Sequence, residues 1–140
     1  MPLLAPSRTS DDLGKLLLRV TLAFLILLHG IAKVLNGVDP IMGMLARQGF
    51  PPALAYLVYL GEVIAPVLII IGIWTRPAAL IIAINMVVAV WLVHMRELWG
   101  ITKTGGWALE LQGSFLFAAL AVALLGAGRF SIGGASGRWN

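Results

Sequence analysis

Four long apolar runs alternate with polar connections along the chain, at roughly 13–35, 53–74, 77–95 and 107–127. Each is about the length that a helix needs to cross a bilayer core. The apolar positions are continuous and do not alternate with polar ones, which favours helices over the strands of a membrane barrel. The pattern predicts one all-α domain over residues 1–140, an integral membrane four-helix bundle running up-down-up-down. Thr75–Arg76–Pro77 is short enough to make the second and third helices a tight antiparallel hairpin, with Pro77 in the first turn where its missing N–H costs little. The connection 36–52 is longer. Asp39 suits a helix cap, Pro40 a first helical position and Gly49 a stop. Ile41, Met44 and Leu45 would share one face. This predicts a short interfacial helix between helices 1 and 2, lying over the bundle as a lid, with an ordinary loop as the alternative.

Composition agrees. The chain of 140 residues is 60% hydrophobic and only 11% charged, with a mean hydropathy of +0.97. Soluble domains carry about 25% charged residues. The net charge of +4 does not indicate nucleic acid, because the cations sit at segment ends, as lipid contact and the positive-inside rule require. No cysteine is present, so thiol chemistry is excluded. Met1–Asp12 is polar and no cleavage pattern follows the first apolar run, so no signal peptide is expected. Arg8, Lys15, Arg76, Arg129 and Arg138 fall on one side, against Arg47, Arg96 and Lys103 on the other, with Lys33 near its edge. This bias predicts cytoplasmic termini. Trp74, Trp99 and Trp107 fall at helix ends, where aromatic belts lie.

The first apolar run nevertheless carries Arg19, His29 and Lys33. A charge at membrane depth costs about 2.5–3.5 kcal/mol or more, so these residues need internal partners. At about 100° per residue, Arg19 and His29 each lie about 40° from Lys33, which predicts one polar side facing the interior. With Lys33 near the outer surface, His29 and Gln112 lie roughly 9 Å below it, Glu110 roughly 6 Å and Glu62 roughly 13 Å. Cations of the first helix and carboxylates of the second and fourth therefore share the outer half of the membrane. Pro66 stands four residues after Glu62 and cannot donate to its carbonyl, which predicts a kink there. The set His29, Lys33, Glu62, Glu110 and Gln112 is the candidate ligand-binding pocket. The competing reading is a structural kink with a buried Glu–Lys or Glu–His pair.

His29 is open to metal ligation, proton transfer, a hydrogen bond to a quinone carbonyl, or a satisfied interior role. His94, beside Arg96 and Glu97, reads as interfacial. The two histidines differ in depth and no Glu-x-x-His pattern is present, so neither haem nor metal is expected. Asn85 is expected to bond to a neighbouring helix. Arg19 is expected to snorkel or to meet the stretch 129–131. Gly61, Gly72 and Gly113 suggest close helix packing. Arg19, Asn85, Pro66, Arg76 and Arg129 form the structural polar set.

The order and spacing of several motifs resemble the DoxX family of small bacterial inner-membrane proteins, including its YphA-type members. They are LLR at Leu17–Arg19, HGIAK at His29–Lys33, GEVIAPVLIIIGIWTR at Gly61–Arg76, NMVVAV at Asn85–Val90, Glu110, and GAGRFSI at Gly126–Ile132. Family members often carry an acid just after the last stretch, where this chain has Gly133. The resemblance implies a four-helix membrane bundle in the bacterial cytoplasmic membrane. Some relatives are tied to quinone-linked thiosulfate oxidation and others to complexes that handle oxidative stress. Related thiol-exchanging families depend on cysteine pairs, which are absent here.

The expectation is a quinone-associated membrane subunit of an oxidoreductase system. The alternatives are a binding or transport protein for a small polar solute or proton, and a scaffold or assembly subunit whose buried charges only specify helix pairing. Its surroundings are the lipid bilayer, with no nucleic acid. A redox enzyme partner and a homo-oligomer are both open.

Overall fold

The computed structural model describes residues 8–140; the expectation for the N-terminal stretch up to Ser7 lies outside the described residues. These residues form five helices and no strand beyond one isolated bridge, Ile101 with Trp107. Helix α1 is Arg8–Asn36. It starts before the apolar run because Asp11 lies in its first turn, where the helix dipole favours acids, and pairs with Lys15 at 2.9 Å. Helix α2 is Asp39–Arg47, with Val38 rather than Asp39 at the cap position.

The helical rod Pro52–Ile71, α3, has three parts: a 3-10 turn at Pro52–Leu57, a π turn at Leu60–Ile64 and a regular helix at Ala65–Ile71. The rod Thr75–Glu97, α4, is regular over Thr75–Ala89, then passes through a π turn at Val90–His94 and a 3-10 turn at Met95–Glu97. Helix α5 is Glu110–Leu125.

By length and composition α1, α3 and α4 can each cross a membrane, while α5, at 16 residues, is shorter. The expected run 107–127 is trimmed at both ends. Trp107 belongs to the bridge preceding α5, and Gly126 ends the helix at φ +77°. The α3–α4 turn also shifts, from the expected Thr75–Pro77 to residues 72–74. Gly72 adopts φ +73° there, and Thr75 and Arg76 already belong to α4.

A single core joins these helices: Leu22, Ala23 and Ile26 of α1, Ala65 and Ile69 of α3, Ala78, Ala79, Ile82, Ala83 and Met86 of α4, and Phe115, Ala119 and Val122 of α5. Its alanines let backbones approach closely, the packing that lipid surroundings favour. Helix α2 packs separately, through Val38 and Leu45, against Ala55, Tyr59 and Leu92.

Two arginines close one end. The side chain of Arg19 is 1% exposed. It donates to the carbonyls of Ile69 (2.5 Å), Ile70 (2.8 Å), Ala127 (3.2 Å) and Phe130 (2.5 Å). Ile69 and Ile70 lie in the last turn of α3, whose carbonyls lack intrahelical partners. Arg19 therefore caps α3 and ties the chain beyond α5 to it, without snorkelling. Arg76 does the same for α5, donating to Ala123 (2.9 Å) and Leu124 (2.7 Å). Arg129 meets Asp12 at 3.3 Å and Thr9 at 2.8 Å, so its acid comes from α1 and not from the position of Gly133.

Candidate functional site

The candidate residues fall into three groups. The first joins α1, α3 and α4. Lys33 Nζ lies 2.5 Å from Glu62 Oε2, and Asn85 Nδ2 donates to Glu62 Oε1 at 3.2 Å. The Glu62 side chain is 8% exposed and that of Lys33 28%. Both carboxylate oxygens are thus engaged within the protein. Glu62 lies inside the π turn that precedes Pro66, where Ala65 N–H reaches back five residues to the Leu60 carbonyl. Such a turn inserts one residue into the helix and re-aims the side chains around it. It is the form in which the expected disturbance at Pro66 occurs.

Two glycines make this junction fit. A Cβ at Gly30 would stand 2.1 Å from the Glu62 carbonyl oxygen, and one at Gly61 would stand 2.7 Å from Asn85. Gly30 lets α1 lie directly against the Glu62 backbone, so a side chain there would separate the helices. The Tyr59 hydroxyl donates to the Lys33 carbonyl at 3.1 Å and holds the end of α1.

The second group is a groove of about 290 Å³ between α1 and α5, lined by Leu25, Leu28, His29, Ala32, Leu111 and Phe115. His29 is exposed and does not face the interior beside Glu62 as expected. Its ring meets Phe115 edge to face, with 6.0 Å between centroids. Among the described residues the imidazole has no hydrogen-bond partner. The reason is angular: Lys33 reaches α3 and Arg19 is wholly enclosed, while His29 sits at the rim of the same polar side, where α5 leaves a gap.

The third group is at the far ends of α4 and α5. Gln112 Nε2 lies 3.2 Å from His94 Nε2, and His94 Nδ1 lies 3.1 Å from Glu97. Gln112 therefore does not join Lys33 and Glu62. Glu110 does not either: its carboxylate lies against Gly106, where a Cβ would be 2.5 Å from Oε1. Similar depth grouped these residues in the sequence, but depth says nothing of direction around a helix. Tyr59, Gly30 and Phe115 were missed. Gly30, a glycine one residue after His29 in a membrane helix, was the readable signal.

The sequence model of the family described as DoxX matches residues 14–95, more than half of the chain. That range holds His29, Lys33, Glu62 and Asn85, but not the α5 side of the groove. An uncharacterized protein of Haemophilus influenzae is 33% identical over 56% of this chain and 57% of its own length. A Bacillus subtilis protein named "Putative oxidoreductase CatD" is 29% identical over 62% of this chain and 64% of its own length. The chain thus spans less than two thirds of either curated relative. No solved structure matches. The helical core around the Lys33–Glu62–Asn85 junction falls within the matched region, and the chain belongs to the DoxX family.

Proposed function

We propose that this chain is a quinone-associated membrane subunit of an oxidoreductase system, and that its quinone lies in the α1–α5 groove. The observation that carries this reading is His29, an imidazole without an internal partner in an otherwise apolar groove. A polar group in hydrocarbon costs several kcal/mol unless it is hydrogen-bonded, roughly 4–8 kcal/mol for full transfer without compensation. A lipid-soluble molecule with a flat ring and a carbonyl acceptor supplies that bond, packs against Phe115 and lays its tail along Leu25 and Leu28. A bound quinone supplies two-electron, two-proton redox chemistry. The His29 N–H would hydrogen-bond and polarise a quinone carbonyl held in the groove. Lys33, one turn along α1 at a rise of about 6 Å and paired with Glu62 of α3, would hold or deliver a proton near such a ligand. Electrons come from a redox partner. The oxidoreductase name of one relative fits this reading.

His29→Leu keeps the groove apolar and removes the hydrogen bond. Its copurified quinone, measured by extraction and mass spectrometry, is expected to fall about tenfold, equivalent to about 1.4 kcal/mol. Unchanged quinone at unchanged melting temperature would sink the proposal.

In this reading α1, α3, α4 and α5 cross the bacterial cytoplasmic membrane up-down-up-down, with both termini in the cytoplasm and α2 at the outer interface. The Lys/Arg asymmetry supports the orientation. The packing of α2 outside the main core supports its placement. In this cysteine-free chain, a cysteine at Ser136 should react with impermeant reagent only from the cytoplasmic side, and one at Lys103 only from outside. The opposite labelling would invert the topology.

The completeness of the Lys33–Glu62–Asn85 set favours a second reading for that group alone, a scaffold in which the charges only specify helix pairing.

A further inference from the structure

The connection between α4 and α5 carries Trp99, the most exposed large apolar side chain of the described residues, yet it is tied together by backbone and indole hydrogen bonds. Trp99 is 90% exposed and Ile101 77%. Behind them Ala108 N–H donates to Gly100 at 2.9 Å, Thr102 N–H to Gly106 at 2.7 Å and Gly105 N–H to Thr102 at 3.0 Å. Gly106 N–H reaches the Thr102 hydroxyl at 3.1 Å, and the Trp107 indole N–H reaches the Leu98 carbonyl at 2.8 Å. Backbone that meets lipid is costly unless it is hydrogen-bonded, and these bonds satisfy part of the hairpin's backbone internally. It frames an open apolar groove of about 640 Å³ lined by Leu98, Trp99, Gly100, Ile101, Gly105 and Trp107.

Two opposite charges flank the turn. Lys103 lies within the turn Thr102–Gly106, and the Glu110 carboxylate rests against Gly106. Among the described residues neither side chain has a hydrogen-bond or ion-pair partner. Glu97, the other acid nearby, is taken by His94. An unpaired cation in the turn and an unpaired acid of α5 packed against that turn, beside an apolar groove, complement a headgroup carrying both a phosphate and a hydrogen-bonding ammonium. We infer that this hairpin binds an ethanolamine phospholipid, with the phosphate on Lys103, the ammonium on Glu110, and an acyl chain against Trp99 and Trp107. This inference does not depend on the quinone reading. It gives Glu110, which stands apart from Lys33 and Glu62, a role of its own.

The test is lipid retention of detergent-purified full-length protein, added back to phosphatidylethanolamine, phosphatidylcholine or phosphatidylglycerol and read by native mass spectrometry. Wild type should retain phosphatidylethanolamine over phosphatidylcholine, whose quaternary ammonium cannot donate a hydrogen bond. An exposed charge pair is worth up to about 1 kcal/mol, so Glu110→Gln should reduce that preference by about fivefold. Lys103→Gln should weaken retention of both lipids, and Trp99→Ser should weaken all three. Gly106→Ala, by displacing the carboxylate, should mimic Glu110→Gln without removing the acid. Equal binding of the two zwitterionic lipids, a preference for phosphatidylglycerol, or a Glu110→Gln variant that keeps its selectivity would overturn the assignment. So would a Trp99 shielded from lipid-borne quenchers by a copurifying protein.

Discussion

Replacing Arg19 with Met is expected to cost about 3–5 kcal/mol of stability, because it leaves two buried carbonyls without a donor at about 1–3 kcal/mol each. The guanidinium uses its Nε and both terminal nitrogens on four carbonyls. Met fills similar space but strands those carbonyls, and an unsatisfied buried group costs about 1–3 kcal/mol. The bonds to Ile69 and Ala127 are buried, while those to Ile70 and Phe130 are part-buried, so the first two carbonyls carry most of the loss. Arg19→Lys keeps the charge but not the planar fork, and a point charge cannot span two elements on both sides. It should fall between wild type and Arg19→Met. The measurement is melting temperature in detergent together with protease sensitivity of residues 126–140, which Arg19 ties to α3. A Met variant that melts with wild type would show that these bonds contribute little.

The second large effect is at Glu62. Glu62→Gln leaves Lys33 unpaired, for which about 3–5 kcal/mol is the upper range. Lys33 is part-exposed and long enough to carry its ammonium toward the surface. We therefore expect about 2–3 kcal/mol, less than for Arg19. Glu62→Gln with Lys33→Met removes both charges and should largely recover the melting temperature. Turnover with a redox partner separates the readings. If the pair exchanges protons with a ligand at His29, the double variant folds and retains quinone but loses turnover with a redox partner. If the pair only joins helices, the double variant behaves as wild type in every respect. The quinone account predicts the first outcome.

The three long helices were legible because helices long and apolar enough to cross a membrane leave long apolar runs and because Pro and Gly mark their ends. The short helix α2 was legible from Pro40 and a one-sided apolar pattern. The contact between Lys33 and Glu62 was legible from mutual need within the outer half of the membrane-length runs: opposite charges in apolar segments find each other, although the estimated depths differed by roughly 13 Å. Rotation was not legible. A hundred degrees per residue assumes a regular helix, whereas α3 and α4 each contain a π turn that shifts the phase of everything beyond it. Gln112 meets His94 where α4 leaves its π turn. The hairpin before α5 was also hidden, since Trp107–Leu109 continue the apolar run and only the backbone pairing of Ile101 with Trp107 removes them from the helix.

The central claim is that the quinone lies at His29. Photolabelling of the membrane-embedded protein with an azidoquinone, followed by peptide mapping, tests it most directly. The account predicts adducts on Leu25–Ala32 of α1 and Leu111–Phe115 of α5, competed by unlabelled quinone and lost in His29→Leu. Competed labelling confined to other surfaces, with these two segments unmarked, would contradict it.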